Sequence, residues 1–304
     1  MLQASSYKQL EACGLQCLAR KRMIKSEAIF HYDQPFELES GNKLPGFQLK
    51  YTTLGQLNKE RTNVVWICHA LTGSSDFTDW WKDFFTEGSL PADHASPFDP
   101  RDYFIICANA LGGCYGSTGP LSINPATSKS YFHEFPLVTN RDIVRSFDLL
   151  RQKLGLTKIH TLIGGSLGGQ QVLEWAIERP ALFENLIPIA CNAFHSAWGI
   201  AFNEAQRMAI AADTTWKEND ARAGIEGMKA ARAMGMISFR SMKPTRSLRL
   251  KKALIPLIIF ALHRINNTRV RNWAIGLMHS RIGHSQKRWT VIRWDEIGKA
   301  LRMR

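Results

Sequence analysis

The feature that most constrains this chain is Gly164-Gly165-Ser166-Leu167-Gly168-Gly169, set between an apolar run and a helix-forming run. It fits G-x-S-x-G in the context where that pattern carries chemistry, a strand ending in a sharp turn that opens a helix. Such a turn strains the backbone of its central residue, and glycines are needed beside it where a side chain would clash. The helix behind it presents free N–H groups and the positive end of its dipole to a developing oxyanion. Ser166 therefore reads as a nucleophile. An ordinary Gly-rich turn has no need of the preceding strand, the following helix and the second Gly pair together.

Three apolar runs end at small-residue turns: Val64–Cys68 before His69-Ala70-Leu71-Thr72-Gly73, Tyr103–Cys107 before Asn109–Gly113, and Ile159–Ile163 before the elbow. A fourth is Leu186–Ala190. Continuously apolar strands imply a sheet covered on both faces, hence parallel strands joined by helical crossovers. Asp142–Leu154 supplies one such helix, with Ile143, Phe147, Leu150 and Leu154 at helical spacing, and Gln170–Ala176 a second. Earlier, Phe36–Gly41 and Phe47–Tyr51 alternate about a turn and predict a β-hairpin. Phe202 to Arg240 is helix-rich without a strand run and predicts a helical cap. The fold class is α/β, a doubly wound sheet with its ligand-binding turns at the C-terminal ends of the strands.

An oxyanion hole on this architecture takes one amide from the residue after the nucleophile, Leu167, and one from an earlier loop. The turn after Val64–Cys68 offers Leu71. In this fold the triad order is serine, acid, histidine, so His69 lies on the wrong side of Ser166 and reads as structural. After Ser166 the histidines are His195, His263, His279 and His284. His195 comes too early, and none of the other three follows a strand that ends in an acidic turn. A triad Asp and His are therefore expected to be absent from this chain.

The formal charge of +13 has to be placed before it is interpreted. Residues 241–304 hold 15 Lys and Arg against 2 Asp and Glu, so they carry all of it, and the first 240 residues are balanced. A nucleic-acid face would interleave its charge with the fold, so a step at one point argues against nucleic acid as a partner. Cys13, Cys17, Cys68, Cys107, Cys114 and Cys191 have no zinc spacing, and a chain of this size does not need disulfides. No metal is expected, and a reducing cytoplasm is. The N-terminus lacks a signal-peptide apolar region. Ala253–Leu262 is too short to span a bilayer and contains Pro256, so no membrane is implied.

Phe30-His31-Tyr32, the His69–Gly73 turn, Asn109–Gly113 with Gly116-Ser117-Thr118-Gly119-Pro120, Gly164–Gly169 and Arg232 through Arg240 together resemble the homoserine O-acetyltransferase family. The resemblance runs over about residues 24–240. It implies an α/β-hydrolase fold, a parallel sheet with helices on both faces and a helical cap. It also implies transfer of an acetyl group from acetyl-CoA, a co-substrate with no bound cofactor, to the hydroxyl of L-homoserine in methionine biosynthesis. Ser166 would carry the acetyl group and the Leu71 and Leu167 amides would hold the oxyanion. Arg232 matches the family's arginine for the homoserine carboxylate, a task suited to a planar guanidinium, with Arg207 a weaker candidate. Without the family, Arg232 reads as a solvated helix-face charge. The resemblance further implies a homodimer. An esterase using the same elbow, and a non-catalytic basic binding module centred on the tail, are the alternatives.

The expected layout is a poorly organised leader over 1–23, an α/β-hydrolase core over 24–200, the start of a cap over 201–240 and an aberrant basic tail over 241–304, with the C-terminal part of the fold missing. Read one frame over, Met242-Lys243-Pro244-Thr245 permits Tyr-Glu-Ala-Tyr, and two later stretches in the same frame permit further family-like strings. A frame shift near codon 240 would account for the charge step and for the missing triad members. It would also leave an enzyme by descent that is impaired as written.

Overall fold

The computed structural model describes residues 25–85 and 97–238. The leader, the basic tail, His263, His279 and His284 lie outside the described residues. A six-stranded sheet forms the centre: β1 (Lys25–Tyr32), β2 (Phe47–Leu54), β3 (Val64–Cys68), β4 (Phe104–Ala108), β5 (Ile159–Gly165) and β6 (Phe183–Ile189), in the order β1-β2-β4-β3-β5-β6. The pairs β4–β3, β3–β5 and β5–β6 are parallel. β1 and β2 extend this sheet in antiparallel register, from Lys25 opposite Leu54 to Tyr32 opposite Phe47, and β2 joins antiparallel to β4. The sheet is therefore mixed, its parallel half being the part that holds the elbow.

Three of the four continuous apolar runs are buried on both faces, as their pattern predicts. The fourth, Leu186–Ala190, ends the edge strand β6 and leaves Leu186 and Pro188 exposed and Ile187 and Ile189 half-buried, because no strand pairs beyond it among the described residues. Val64, Trp66, Ile106 and Leu162 face one core, where Trp66 meets Trp175 edge to face at 5.0 Å. Val65, Ile67, Ile105 and Ile163 face the other, with Phe77, Phe85 and Phe98. α3 (Asn140–Lys153) and α4 (Leu167–Glu178) supply the first core, while α1 (Phe77–Trp80) and α2 (Lys82–Phe85), each a single turn, lie on the second. α3 starts two residues before the expected Asp142, because Thr139 caps it. The Thr139 hydroxyl accepts from the Asp142 amide and Asp142 accepts from the Thr139 amide, a reciprocal cap.

The predicted hairpin between Phe36–Gly41 and Phe47–Tyr51 does not form. Phe36–Glu37 pairs instead with Lys43–Leu44 in a two-stranded ribbon, because a tight turn with Gly41 at φ +84° closes between Leu38 and Asn42. That leaves Phe47–Leu54 for the eight-residue strand at Lys25–Tyr32, whose longer register forms more ladder bonds.

The helical stretch after the sheet comprises α5 (Ala197–Ala211), which starts earlier than the expected Phe202, and α6 (Ile225–Ser238). Ser196 caps α5 by accepting from the Gly199 amide. Ile210, Met228 and Ala231 form a small core between the two helices. The connection between them packs against the main body, where the His133 ring meets Trp216 edge to face and Nε2 lies 2.8 Å from its carbonyl oxygen. Among the described residues no helix is long and apolar enough to cross a membrane.

Asp213 anchors the start of α6. Its carboxylate accepts from the Gly227 and Glu226 amides, each at 2.9 Å, and from the Thr215 amide and hydroxyl. These donors, the Gly227 amide first, hold its pKa down to about 2. The unfolded group titrates near 3.8. The stabilisation is therefore complete above that value and lost as pH falls toward 2. Hydrogen-exchange protection of α6 should drop over this window, and Asp213→Asn should lower protection at neutral pH and flatten the drop. Unchanged acid behaviour in the variant would contradict the assignment.

Candidate active site

β5 ends in the elbow, and Ser166 adopts φ 55° and ψ −117°, outside the ordinary basins of an L-residue. The strain is held from both sides. The Ser166 amide donates to the Ile189 carbonyl at the end of β6, and the Ser166 carbonyl accepts from Gln170 in the first turn of α4. Ser166 itself is exposed. The first amides of α4 have no partner inside the helix, so Leu167 presents its N–H at the corner beside the serine.

The glycines are dictated by contact. A Cβ on Gly164 would lie 2.4 Å from the Gly168 carbonyl oxygen, and one on Gly168 would lie 2.0 Å from that of Cys68 and 2.9 Å from that of His69. All three distances are well inside van der Waals contact. The elbow is thus pressed directly onto the turn that leaves β3, the turn that continues to Leu71.

His69 pins that turn. The ring is buried, its Nε2 accepts from the Ala110 amide at 3.0 Å, and Nδ1 lies 2.8 Å from the Ala70 carbonyl. An acceptor at Nε2 fixes the proton on Nδ1, which donates to Ala70. With both nitrogens committed, His69 is structural, as the triad order indicates. Asn109 adds a second pin. Its side-chain oxygen accepts from the Ser75 amide at 2.6 Å, and its amide group donates to the Tyr115 carbonyl at 2.7 Å. The turns after β3 and β4 therefore brace one another.

The side chain of Leu71 packs on the cap core of Ile210, Met228 and Ala231. Arg232 follows Ala231 on α6 and is half-buried. Arg207 is well buried for an arginine, with 14% of its side chain exposed, and pairs with Glu204. It also stands close enough to His195 to lower that pKa, after burial, which is the larger cause. His195 Nε2 lies 3.2 Å from the Gln170 side-chain nitrogen, one turn along α4 from Ser166. The sequence passed over His195 and Gln170 for this corner, because nothing in their spacing announces that the entry to α5 folds back onto α4. It also passed over Trp81, whose ring carbon Cζ2 lies 3.5 Å from where a Gly165 side chain would begin.

Cys68 and Cys107 are buried, and burial pushes both thiols up, while Cys114 is pushed up to about 12. These are poor nucleophiles. Among the described residues no group of three or more His, Cys, Asp or Glu could hold a metal ion. The arrangement suits nucleophilic chemistry at Ser166, with the free amides at the start of α4 beside it for a developing oxyanion.

A family model described as alpha/beta hydrolase fold matches residues 63–251. A curated homoserine O-acetyltransferase of Cyclobacterium marinum is 50% identical over 215 residues, covering 71% of this chain and 59% of that protein. The chain thus spans less than two thirds of that relative. The solved homoserine O-acetyltransferase of Staphylococcus aureus is similar at 26% identity and TM-score 0.64, over 84% of this chain and 71% of that one. An acetylester hydrolase of Corynebacterium glutamicum is similar at 24% identity and TM-score 0.66, over 84% and 72%. This last likeness speaks for the fold alone.

Two measurements check the geometry. Gly168→Ala should cost stability at the upper end of the about 1–3 kcal/mol of overpacking or more, since backbone rather than a side-chain tip must move; a chemical-denaturation midpoint near wild type would rule out the tight contact. Burial lowers the His69 pKa below the ordinary 6.5. The unfolded ring takes its proton first, so the His69 contribution is complete above about 6.5 and lost as pH falls. Urea stability measured from pH 7.5 to 5 should decline, and His69→Gln should remove part of that decline. An identical slope in both proteins would show that the ring is not held neutral.

Proposed function

The chain belongs to the α/β hydrolase fold family, and from that membership we propose that it carries the acyl-serine half of a homoserine O-acetyltransferase. The reaction would move an acetyl group from acetyl-CoA to Ser166 and then to the hydroxyl of L-homoserine, as a cytoplasmic step in methionine biosynthesis. The observation that carries this reading is the backbone of Ser166 at φ 55°, joined to likeness at 50% identity to a protein of that name.

Ser166 Oγ attacks the thioester carbonyl, and the negative charge on its oxygen falls between the Leu71 and Leu167 amides. Collapse expels the thiolate and leaves the acyl-serine. The homoserine hydroxyl oxygen then attacks the acyl carbon in the same geometry, the bond from that carbon to Ser166 Oγ breaks, and water carries the proton from the homoserine hydroxyl back to Ser166. Arg232 would take its carboxylate by a two-pronged contact, with Arg207, set in the corner with His195 and Gln170, as the second candidate. A homodimer is part of the same proposal.

In this proposal no general base stands beside Ser166 among the described residues. Of the histidines after Ser166, only His195 falls among the described residues, and its Nε2 faces Gln170. Loss of a triad member typically lowers turnover by about four decades. The full chain given acetyl-CoA should therefore acetylate Ser166 slowly, and Ser166→Ala should abolish the labelled peptide. Release of CoA should rise with L-homoserine. Release that ignores homoserine would favour an esterase instead, and acetylation at the speed of an intact relative would overturn the impairment.

A further inference from the structure

The site has two unlike sides, and the inference drawn from them rests on the acyl-serine reading. Toward α3 and α4 the groups are polar: Gln170 contacts both His195 and Asn140, with Arg207 nearby. On the opposite face of the sheet stands an aromatic layer. Trp81, half-buried, lies against Gly165, the residue immediately before Ser166. It packs on Trp80 at 4.8 Å and stacks on Phe84 at 5.6 Å and Phe85 at 6.3 Å. The layer is anchored from behind. Phe85 is fully buried and stacks on Phe98, and the Trp80 indole donates to the Ser74 carbonyl at 3.1 Å. An indole backed this way cannot easily move aside for a larger neighbour.

We propose that Trp81 is the acyl-side wall of the site and the specificity-determining residue for the acyl group, selecting short, uncharged acyl chains. An acetyl group on Ser166 brings one methyl group to this wall. A longer chain must displace an anchored ring. A chain ending in a carboxylate must give up water against the electron-rich face of an indole, while Arg207 stands on the other side.

The test uses the full 304-residue chain with 4-nitrophenyl acetate, 4-nitrophenyl butyrate and mono-4-nitrophenyl succinate. Ser166 Oγ forms a bond to the carbonyl carbon, the bond from that carbon to the aryl oxygen breaks, the serine proton passes to water and 4-nitrophenolate leaves. The Ser166 adduct is followed by peptide mass spectrometry, and each rate is divided by the ester's own hydrolysis rate. Acetate should lead in the wild type. Trp81→Ala should raise the butyrate-to-acetate ratio about tenfold or more, the scale on which a pocket reads methylenes. Gly165→Ala should move the ratio the other way, because its Cβ fits at 3.5 Å and narrows the same gap. If Trp81→Ala does not fold, Trp81→Phe and Gly165→Ala carry the test. Adducts with unchanged ratios would overturn the role of Trp81 alone. No adduct on Ser166 from any ester would overturn the acyl-serine reading and this inference with it.

Discussion

Everything in the site depends on one contact, the backbone of Gly168 against the carbonyl oxygens of Cys68 and His69. A strained serine turn can exist on many scaffolds, but an oxyanion hole needs two chain segments at one point. Here the parallel register sets Cys68 beside Gly164, and the missing Cβ at Gly168 lets the helix start rest on the neighbouring turn. Had either glycine carried a side chain, the two loops would stand apart. His69 and Asn109 then fix the turn from its far side. The glycines allow the approach and the pins keep it.

Much of this was legible in the sequence because the periodicities involved are local. Val64–Cys68 is a strand in the structure with the bounds its apolar run gives, and the spacing of Ile143, Phe147 and Leu150 finds α3. The elbow is itself a local signal, a strand, a turn and a helix within twenty residues. The mispaired hairpin shows where such reasoning ends. Phe47–Tyr51 alternates as a strand should, but alternation does not say which partner it takes. That depended on Lys25–Tyr32, whose burial alternates only weakly. The site beyond the elbow was hidden for the same reason. Trp81 reaches Gly165 from more than eighty positions away, and His195 meets Gln170 only because the chain folds back after β6.

Charge shows the reverse relation between sequence and site. The bulk figure of +13 is the most conspicuous number in the composition, yet it belongs to residues outside the described fold. The charges in the described part are arranged in local pairs and short networks. Arg141 lies between Glu39 and Glu174, Arg145 against Glu178, and Asp148 between Arg151 and Arg179. These tie α3 to α4 and to the β1–β2 side of the molecule, and the more exposed pair, Arg145 with Glu178, contributes little. What distinguishes Arg207 is its burial beside an imidazole.

The packing of Leu71 on Ile210, Met228 and Ala231 makes the helix pair α5–α6 and the turn after β3 one thermodynamic object. A residue whose side chain packs on those helices ties the order of its own backbone to theirs. Occupancy beneath the cap and organisation of the turn are therefore linked functions. Whatever steadies α5 and α6 also orders the turn that carries Leu71, and whatever orders that turn steadies the helices by the same free energy.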